Sequence, residues 1–283
     1  MRVLVIGNTS MIGKRLQQHL LTGHSVLTAG IDGSPDIYLD LATVELASIA
    51  GHGPIDAVVH CAASFENDTI EGAIQNEKIN SLGALLSARL AAEMGCKHFV
   101  HLSSISIYDH PDNGYAGSYG LSKRHGQDNL NLACRILGMD LTSLILSQVY
   151  DEYCEARRHQ PLFYHIIECA RQGKQVTFYG KKNPLRNFLY VGDLTAIVQD
   201  VIEKGVYGIY PCVFPVSYTL KDIAVIACRV FGREIEPVFL AEKPDIPSVY
   251  IPADRSLFDR VIAPTTSLEK GIELIRDHME STG

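Results

Sequence analysis

Met1-Arg2-Val3-Leu4-Val5-Ile6-Gly7-Asn8-Thr9-Ser10-Met11-Ile12-Gly13 opens the chain. Val3–Ile6 is a short apolar run rich in β-branched residues, the composition of a buried strand. Ile12, Leu16 and Leu20 then recur at helical spacing over Met11–Leu21. Between strand and helix lies a turn with glycines six positions apart. A strand running straight into a helix through such a turn aims unpaired helix N–H groups at an anion, and glycine lets the backbone come close. The spacing is GxxSxxG, not GxGxxG, with Ser10 where a middle glycine could stand. Gly7, Ser10, Met11, Ile12 and Gly13 therefore form a candidate dinucleotide-phosphate turn.

Working outward, the same rhythm repeats. Ser25–Ala29 reads as a second strand and Ile37–Leu39 as a short third. Thr43–Ala50 reads as a helix, and Ile55–His60 as a buried strand. A long helix is expected over Gly72–Met94, a strand over Lys97–Leu102, a helix over Ser118–Leu137 ending at Gly138, and a strand over Leu141–Leu146. Strands that are continuous apolar runs alternating with helices predict a doubly wound, Rossmann-type parallel sheet covered on both faces. After about Ser147 the rhythm is irregular: helices at Gln160–Gly173, Asp193–Lys204, Thr219–Phe231 and Ser267–Met279, and strands at Val176–Tyr179 and Phe188–Val191. This predicts a smaller α/β unit interwoven with the first. Residues 1–147 and 187–210 are assigned to dinucleotide binding, and 148–186 with 211–283 to substrate. Residues 147–160 read as a charged exposed loop, with a mobile polar lid as the alternative.

Composition bounds the function. The 283 residues carry 25 Lys plus Arg against 32 Asp plus Glu, a net charge of −7, which argues against a nucleic-acid binder. No apolar run approaches a membrane span of roughly 18 residues. The seven cysteines are scattered, with no CxxC pair and no metal-ligand spacing, as in a reducing cytoplasm. No signal peptide is read at the N-terminus.

Chemistry gathers in the fourth and fifth elements. Ser103-Ser104 closes a buried strand, where catalytic groups sit in parallel sheets. Tyr119-Gly120-Leu121-Ser122-Lys123 follows, the one Tyr-x-x-x-Lys in the chain, and it places both side chains on one helix face. A tyrosine is a poor base at neutral pH; a neighbouring ammonium stabilises its phenolate and makes the pair a general acid/base. At the end of the second strand an acid would read the ribose of NAD, and Asp32 is the candidate, with NADP not excluded and an ordinary Asp32-Gly33 turn the plain alternative.

Taken with Asp40-Leu41, His60-Cys61-Ala62-Ala63, Asn80-Ser81-Leu82-Gly83, Ser103 to Tyr108 and Arg186-Asn187-Phe188-Leu189-Tyr190-Val191-Gly192-Asp193, these motifs resemble the extended short-chain dehydrogenase/reductases. More narrowly they resemble the NAD-dependent epimerase/dehydratase family acting on nucleotide sugars, over about residues 1–205. The resemblance implies that Tyr119 is the acid/base, that Lys123 holds the nicotinamide ribose and lowers the Tyr119 pKa, and that Ser104 bonds the reacting oxygen. It implies that Asn80 supports the long helix and a water relay. Asp40 and Leu41 would lie at the adenine, with Cys61, Ala62 and Ala63 beside the cofactor. Gln148 and Arg186 would meet the substrate, Arg186 at its diphosphate, which suits a guanidinium. Asp193 reads as a helix cap.

The 4,6-dehydratases of that family carry an Asp-Glu pair after the serine, and its 3,5-epimerising reductases a cysteine two residues on; here Ile105 and Ser106 stand there. What remains is hydride exchange at C4 of a sugar, by an epimerase or a 4-keto reductase. A non-sugar carbonyl reductase or a non-catalytic dinucleotide sensor are the alternatives. The resemblance also implies a homodimer, built as a four-helix bundle from the helices at 72–94 and 118–137. Leu82, Leu85, Leu86, Leu90, Leu130, Leu132 and Ile136 supply the apolar surface.

Overall fold

The computed structural model describes residues 1–43, 51–110, 113–114 and 117–282. The helix expected at Thr43–Ala50 lies almost wholly outside the described residues. In chain order the elements begin with β1 (Arg2–Ile6), α1 (Met11–Leu20), β2 (Ser25–Gly30), β3 (Ile37–Tyr38) and β4 (Ala57–His60). Then come α2 (Ile70–Asn76), a π-helical turn at Glu77–Leu82, α3 (Gly83–Glu93), β5 (His98–Ser104), α4 (Ser118–Leu137), β6 (Asp140–Leu146) and β7 (Gln148–Tyr150). The remainder is α5 (Pro161–Gln172), β8 (Thr177–Tyr179), β9 (Leu185–Arg186), β10 (Phe188–Tyr190), α6 (Val191–Lys204), β11 (Gly208–Cys212), β12 (Tyr218–Thr219), α7 (Leu220–Val230), β13 (Val238–Leu240) and α8 (Leu268–Thr282).

Seven strands pair in parallel in the order β11-β6-β5-β4-β1-β2-β3. The order reverses between β1 and β4, the switch point at which such sheets open a crevice. Strand alternation sorts side chains to the two faces. Val3, Val5, Val59 and Leu102 pack on one face with Leu16, Leu20 and Ile197, under α1 and α6. Leu4, Ile6, Val58 and Phe99 pack on the other with Ala84, Leu90 and Leu130, under α3 and α4. A third core, around Tyr150, Phe163, Phe178, Phe188, Ile223 and Ile272, joins α5, α7 and α8. Among the described residues no helix is long and apolar enough to cross a membrane.

Two expectations are corrected. The helix predicted over 72–94 is continuous in direction but not in type, because the π-helical turn spans Glu77–Leu82 and holds the buried Asn80. Asp193 does not cap α6: its carboxylate accepts from the Thr266 backbone N–H at 2.9 Å and the Thr266 hydroxyl at 3.1 Å, tying down the approach to α8.

Candidate active site

The turn after β1 explains its own sequence. Gly7 has φ +91°, and a Cβ there would stand 2.6 Å from the Ala62 nitrogen; one on Gly13 would stand 2.2 Å from the Gly7 carbonyl oxygen. Ser10 is the N-cap of α1: its Oγ accepts from Gly13 N–H at 3.0 Å and donates to the Gly7 carbonyl at 2.8 Å. The hydroxyl is thus turned into its own loop. Ser10, Met11 and Ile12 line a cavity of about 630 Å³ at the C-terminal ends of β1, β4, β5 and β6, a size typical of small-molecule sites.

Across this cavity stand Ser104, at the end of β5, and Tyr119, in the first turn of α4. α4 comes so close that a Cβ on Gly120 would lie 2.2 Å from the Ser106 carbonyl oxygen. That approach brings Tyr119 near enough to Ser104 for the serine to favour the phenolate, while the Ser104 Oγ donates to the Ser106 hydroxyl at 3.2 Å. Lys123, one turn on, is buried and donates through Nζ to the Leu102 carbonyl at 2.7 Å. Burial pushes the Tyr119 phenol up to about 12, against a small lowering by Ser104, and pushes the Lys123 ammonium down to about 8. The expected lowering of the phenol by Lys123 does not enter at Tyr119; burial raises the phenol and Ser104 alone opposes it. Below Lys123, His60 and His101 face each other across β4 and β5, ring centroids 5.5 Å apart, both fully buried. Burial and then the Lys123 charge push His60 down to about 3 and His101 well below its usual value, so both are neutral.

Asn80 does not reach the cavity. Its Oδ1 accepts from Ser64 N–H at 2.8 Å, and its Nδ2 donates to the Ser64 carbonyl at 2.8 Å and the Ser122 hydroxyl at 2.9 Å. It binds the chain after β4 to the helix carrying Tyr119 and Lys123. Asn76, one turn earlier, repeats the pattern on Glu66 and Ser118. Sequence reasoning missed Asn76. Its signal was the i, i+4 match of Asn76/Asn80 with Ser118/Ser122.

Residues 147–160 form one wall of the cavity, through Gln148, Glu155, Arg158, His159 and Gln160 among others. Buried Asp151 pins the segment: its carboxylate accepts from the backbone N–H of Tyr153, Glu155 and Ala156 at 2.9–3.0 Å and from the Tyr164 hydroxyl at 2.8 Å. Gln148 Nε2 donates to Gln160 Oε1 at 2.7 Å. Cys61 and Ala63 also line the cavity, whereas Asp32, Asp40, Leu41 and Ala62 do not. Asp32 is exposed in the turn at 31–33, its carbonyl held by Asn8. Asp40 caps the following turn by accepting from Ala42 N–H, and Leu41 is buried in the core.

Arg186 is corrected in position. It was expected to leave a strand edge toward the substrate; it is 2% exposed, outside the cavity lining, and donates to the carbonyls of Leu185 at 2.8 Å and Pro247 at 2.7 Å. The segment carrying Pro247 also sends Val249 to the cavity wall. Nothing in local sequence announces that contact, sixty residues away.

The sequence pattern of the NAD dependent epimerase/dehydratase family matches residues 3–211. The chain belongs to this family of enzymes. Among its relatives is a dTDP-glucose 4,6-dehydratase of Escherichia coli, 25% identical over 87% of this chain and 79% of that protein. Among solved structures, a UDP-N-acetylglucosamine 4-epimerase from Bacillus cereus superposes with a TM-score of 0.81 at 20% identity, covering 99% of each chain. A UDP-glucose 4-epimerase from Thermotoga maritima, solved with UDP-glucose, gives 0.79 at 20% identity, covering 100% and 99%. At that identity the structures establish the shared fold, and the epimerase/dehydratase architecture agrees with the seven-stranded parallel sheet found here.

Proposed function

We propose that the protein exchanges hydride at C4 of a nucleotide-diphosphate sugar, as a 4-epimerase or a 4-keto reductase, with NAD as cofactor. The observation that carries this reading is the pairing of Ser104, at the end of β5, with Tyr119 of α4 in one cavity lining with Ser10, Met11 and Ile12, and with Lys123 buried one helical turn behind Tyr119. The turn fits a dinucleotide: glycine at 7 and 13 lets it close on the Ala62 backbone and on itself, where a Cβ would collide, and so presents Thr9 to Ile12 at the N-terminus of α1 to the cavity. Gly7, Ser10, Met11, Ile12, Gly13, Cys61, Ala62 and Ala63 would hold it there, with Asp32, Asp40 and Leu41 toward its adenosine end. NAD supplies a carrier that takes up and returns the hydride.

The chain's own residues manage the proton. At neutral pH Tyr119 Oη keeps its proton, the form that donates to a keto oxygen at C4. Ser104 Oγ, beside the same phenol in the cavity wall, orients that oxygen and polarises its carbonyl. In the reverse direction the phenolate left by that donation takes back the C4 hydroxyl proton, with Lys123 one helical turn behind it on α4. Asn80 acts as a support, joining the loop after β4 to α4. Hydride exchange is favoured over dehydration because elimination needs a further carboxylate beside the tyrosine. Among the described lining residues the only carboxylate is Glu155, which is ion-paired with Lys14 at 3.0 Å. Gln148 is placed to meet the sugar or its phosphates. Arg186, which donates to the Leu185 and Pro247 carbonyls outside the cavity lining, is left out of the proposed substrate contacts.

The reading includes a division in which residues 1–147 and 187–210 bind the dinucleotide and 148–186 with 211–283 the substrate; α5, α7 and α8 of the third core fall in the second set, and Phe188 of the first set packs among them. Seven unpaired cysteines fit a cytoplasmic enzyme. A homodimer through α3 and α4 completes the reading. Tyr119→Phe tests the mechanism: turnover of UDP-glucose, UDP-galactose and dTDP-linked keto sugars is expected to fall about 10²–10⁴-fold, with NAD affinity retained. A mutant keeping more than a tenth of wild-type turnover overturns the acid/base assignment. NAD that co-purifies in stoichiometric amount marks an epimerase, which must hold its hydride between half-reactions; freely exchanging NAD marks a reductase.

A further inference from the structure

Ser64 and Glu66 are each gripped by an asparagine side chain through both backbone groups, N–H and C=O, at 2.8–3.2 Å. Asn76 and Asn80 are themselves buried, and each spends a further N–H on a serine of α4. Two rungs of this ladder therefore fix a three-residue stretch whose central member is Phe65. That residue is 53% exposed, yet its ring lines the cavity, edge-on to Tyr119 at 4.4 Å between centroids and facing His159 of the opposite wall at 5.8 Å. The ring packs edge-on against Tyr119 and His159, and about half of its surface is left uncovered at the cavity. It has an open face beside the phenol. The CH-rich face of a pyranose is the apolar surface that suits a rigid aromatic wall.

We propose that Phe65 is a specificity-determining residue that contacts the sugar ring beside Tyr119, and that Asn76 is the positioning residue that presents it. The proposal rests on the function proposed above. Contact at the sugar end distinguishes it from any general effect on the site: loss of the ring weakens nucleotide sugars but not the parent nucleotide.

The test is calorimetric titration of the NAD-loaded protein with UDP-glucose, UDP-galactose and dTDP-glucose, and with UDP and dTDP alone. In Phe65→Ala the affinity for a nucleotide sugar that the wild type binds falls roughly tenfold or more, as when one well-placed aromatic contact is truncated. Affinities for the parent nucleotide and NAD stay unchanged, and Phe65→Tyr restores sugar binding. Asn76→Ala loses sugar affinity in the same way, and adding it to Phe65→Ala causes no further loss, because it acts through the ring. Unchanged sugar affinity in Phe65→Ala, or an equal loss for sugar and parent nucleotide, overturns the contact. Unchanged sugar affinity in Asn76→Ala, or additive losses, overturns the positioning role. A wild type that binds none of the three sugars overturns the function proposed above, and this proposal with it; the other outcomes leave that function standing.

Discussion

Lys123 is held between β5 and α4 with its Nζ on a backbone carbonyl, and burial brings its pKa from 10.5 down to about 8. The linkage has a definite sign. Between pH 8 and 10.5 the unfolded chain binds a proton that the folded chain releases, so stability rises with pH across that window. Below pH 8 both states are protonated, and the full cost of burying the charge remains, on the order of 3 kcal/mol at about 1.4 kcal/mol per pH unit. Lys123→Met is therefore expected to raise Tm at pH 7 by several degrees, with the advantage closing as pH climbs past 8, while turnover is lost. Tyr119 acts oppositely at higher pH: its folded pKa of about 12 lies above the ordinary 10, so its contribution declines from about pH 10 upward. Thermal unfolding of both proteins from pH 6 to 10 checks this; a Lys123→Met protein less stable than wild type at pH 7 would refute it. Ser10 makes a related point at the same scale. A residue that looks like an obstruction in the phosphate turn is the helix cap, so its hydroxyl faces inward.

At the scale of elements, legibility followed how local the determinants were. α4 was readable to the residue: Ser118 begins it, and Gly138 with φ +69° ends it in the left-handed conformation glycine adopts cheaply. The β1–α1 unit was readable for the same reason. The π-helical turn at Glu77–Leu82 was not, because its periodicity differs from an α-helix over only one turn, and its cause is tertiary: Asn80 reaching both Ser64 and Ser122. Arg186 was misplaced for an equally physical reason, since its acceptor at Pro247 is distant in sequence. The polar segment after β7 reads from the sequence as an exposed loop or a mobile lid; Asp151 gathers three backbone N–H groups and the Tyr164 hydroxyl there, which favours the loop. Removing a buried acceptor of that kind leaves several donors unsatisfied, at about 1–3 kcal/mol for each group. Asp151→Ala is expected to lower Tm by several degrees and to speed proteolysis within residues 153–158, as seen by mass spectrometry of a limited digest. A digest pattern and Tm matching wild type would restore the mobile-lid reading.

The whole molecule presents one face that its own fold leaves unfinished. Of the apolar positions along α3 and α4, Leu90 and Leu130 are fully buried in the core beneath the sheet, so they serve the monomer. Leu121, Leu132 and Ile136 of α4 do not, nor does Leu82 in the π-helical turn that leads into α3: they are 45%, 47%, 72% and 44% exposed, and both the turn and α3 pack against α4. Large side chains left outward on α4 and on the turn beside it are costly in water, and pairing them with the same surface of a second copy around a two-fold axis removes the cost. Four helices, two from each copy, would then form the interface, with Tyr119 and Lys123 on the inward side of α4 and so undisturbed by it. A dimer mass is expected in light scattering at micromolar protein. Leu132→Glu with Ile136→Glu places charges in the interface centre and is expected to give monomers that keep their secondary structure and bind NAD. A wild-type protein with a strictly monomeric mass would leave these side chains to some other covering and defeat the dimer. A charge-substituted protein that remains dimeric would place the two-fold axis elsewhere on the surface.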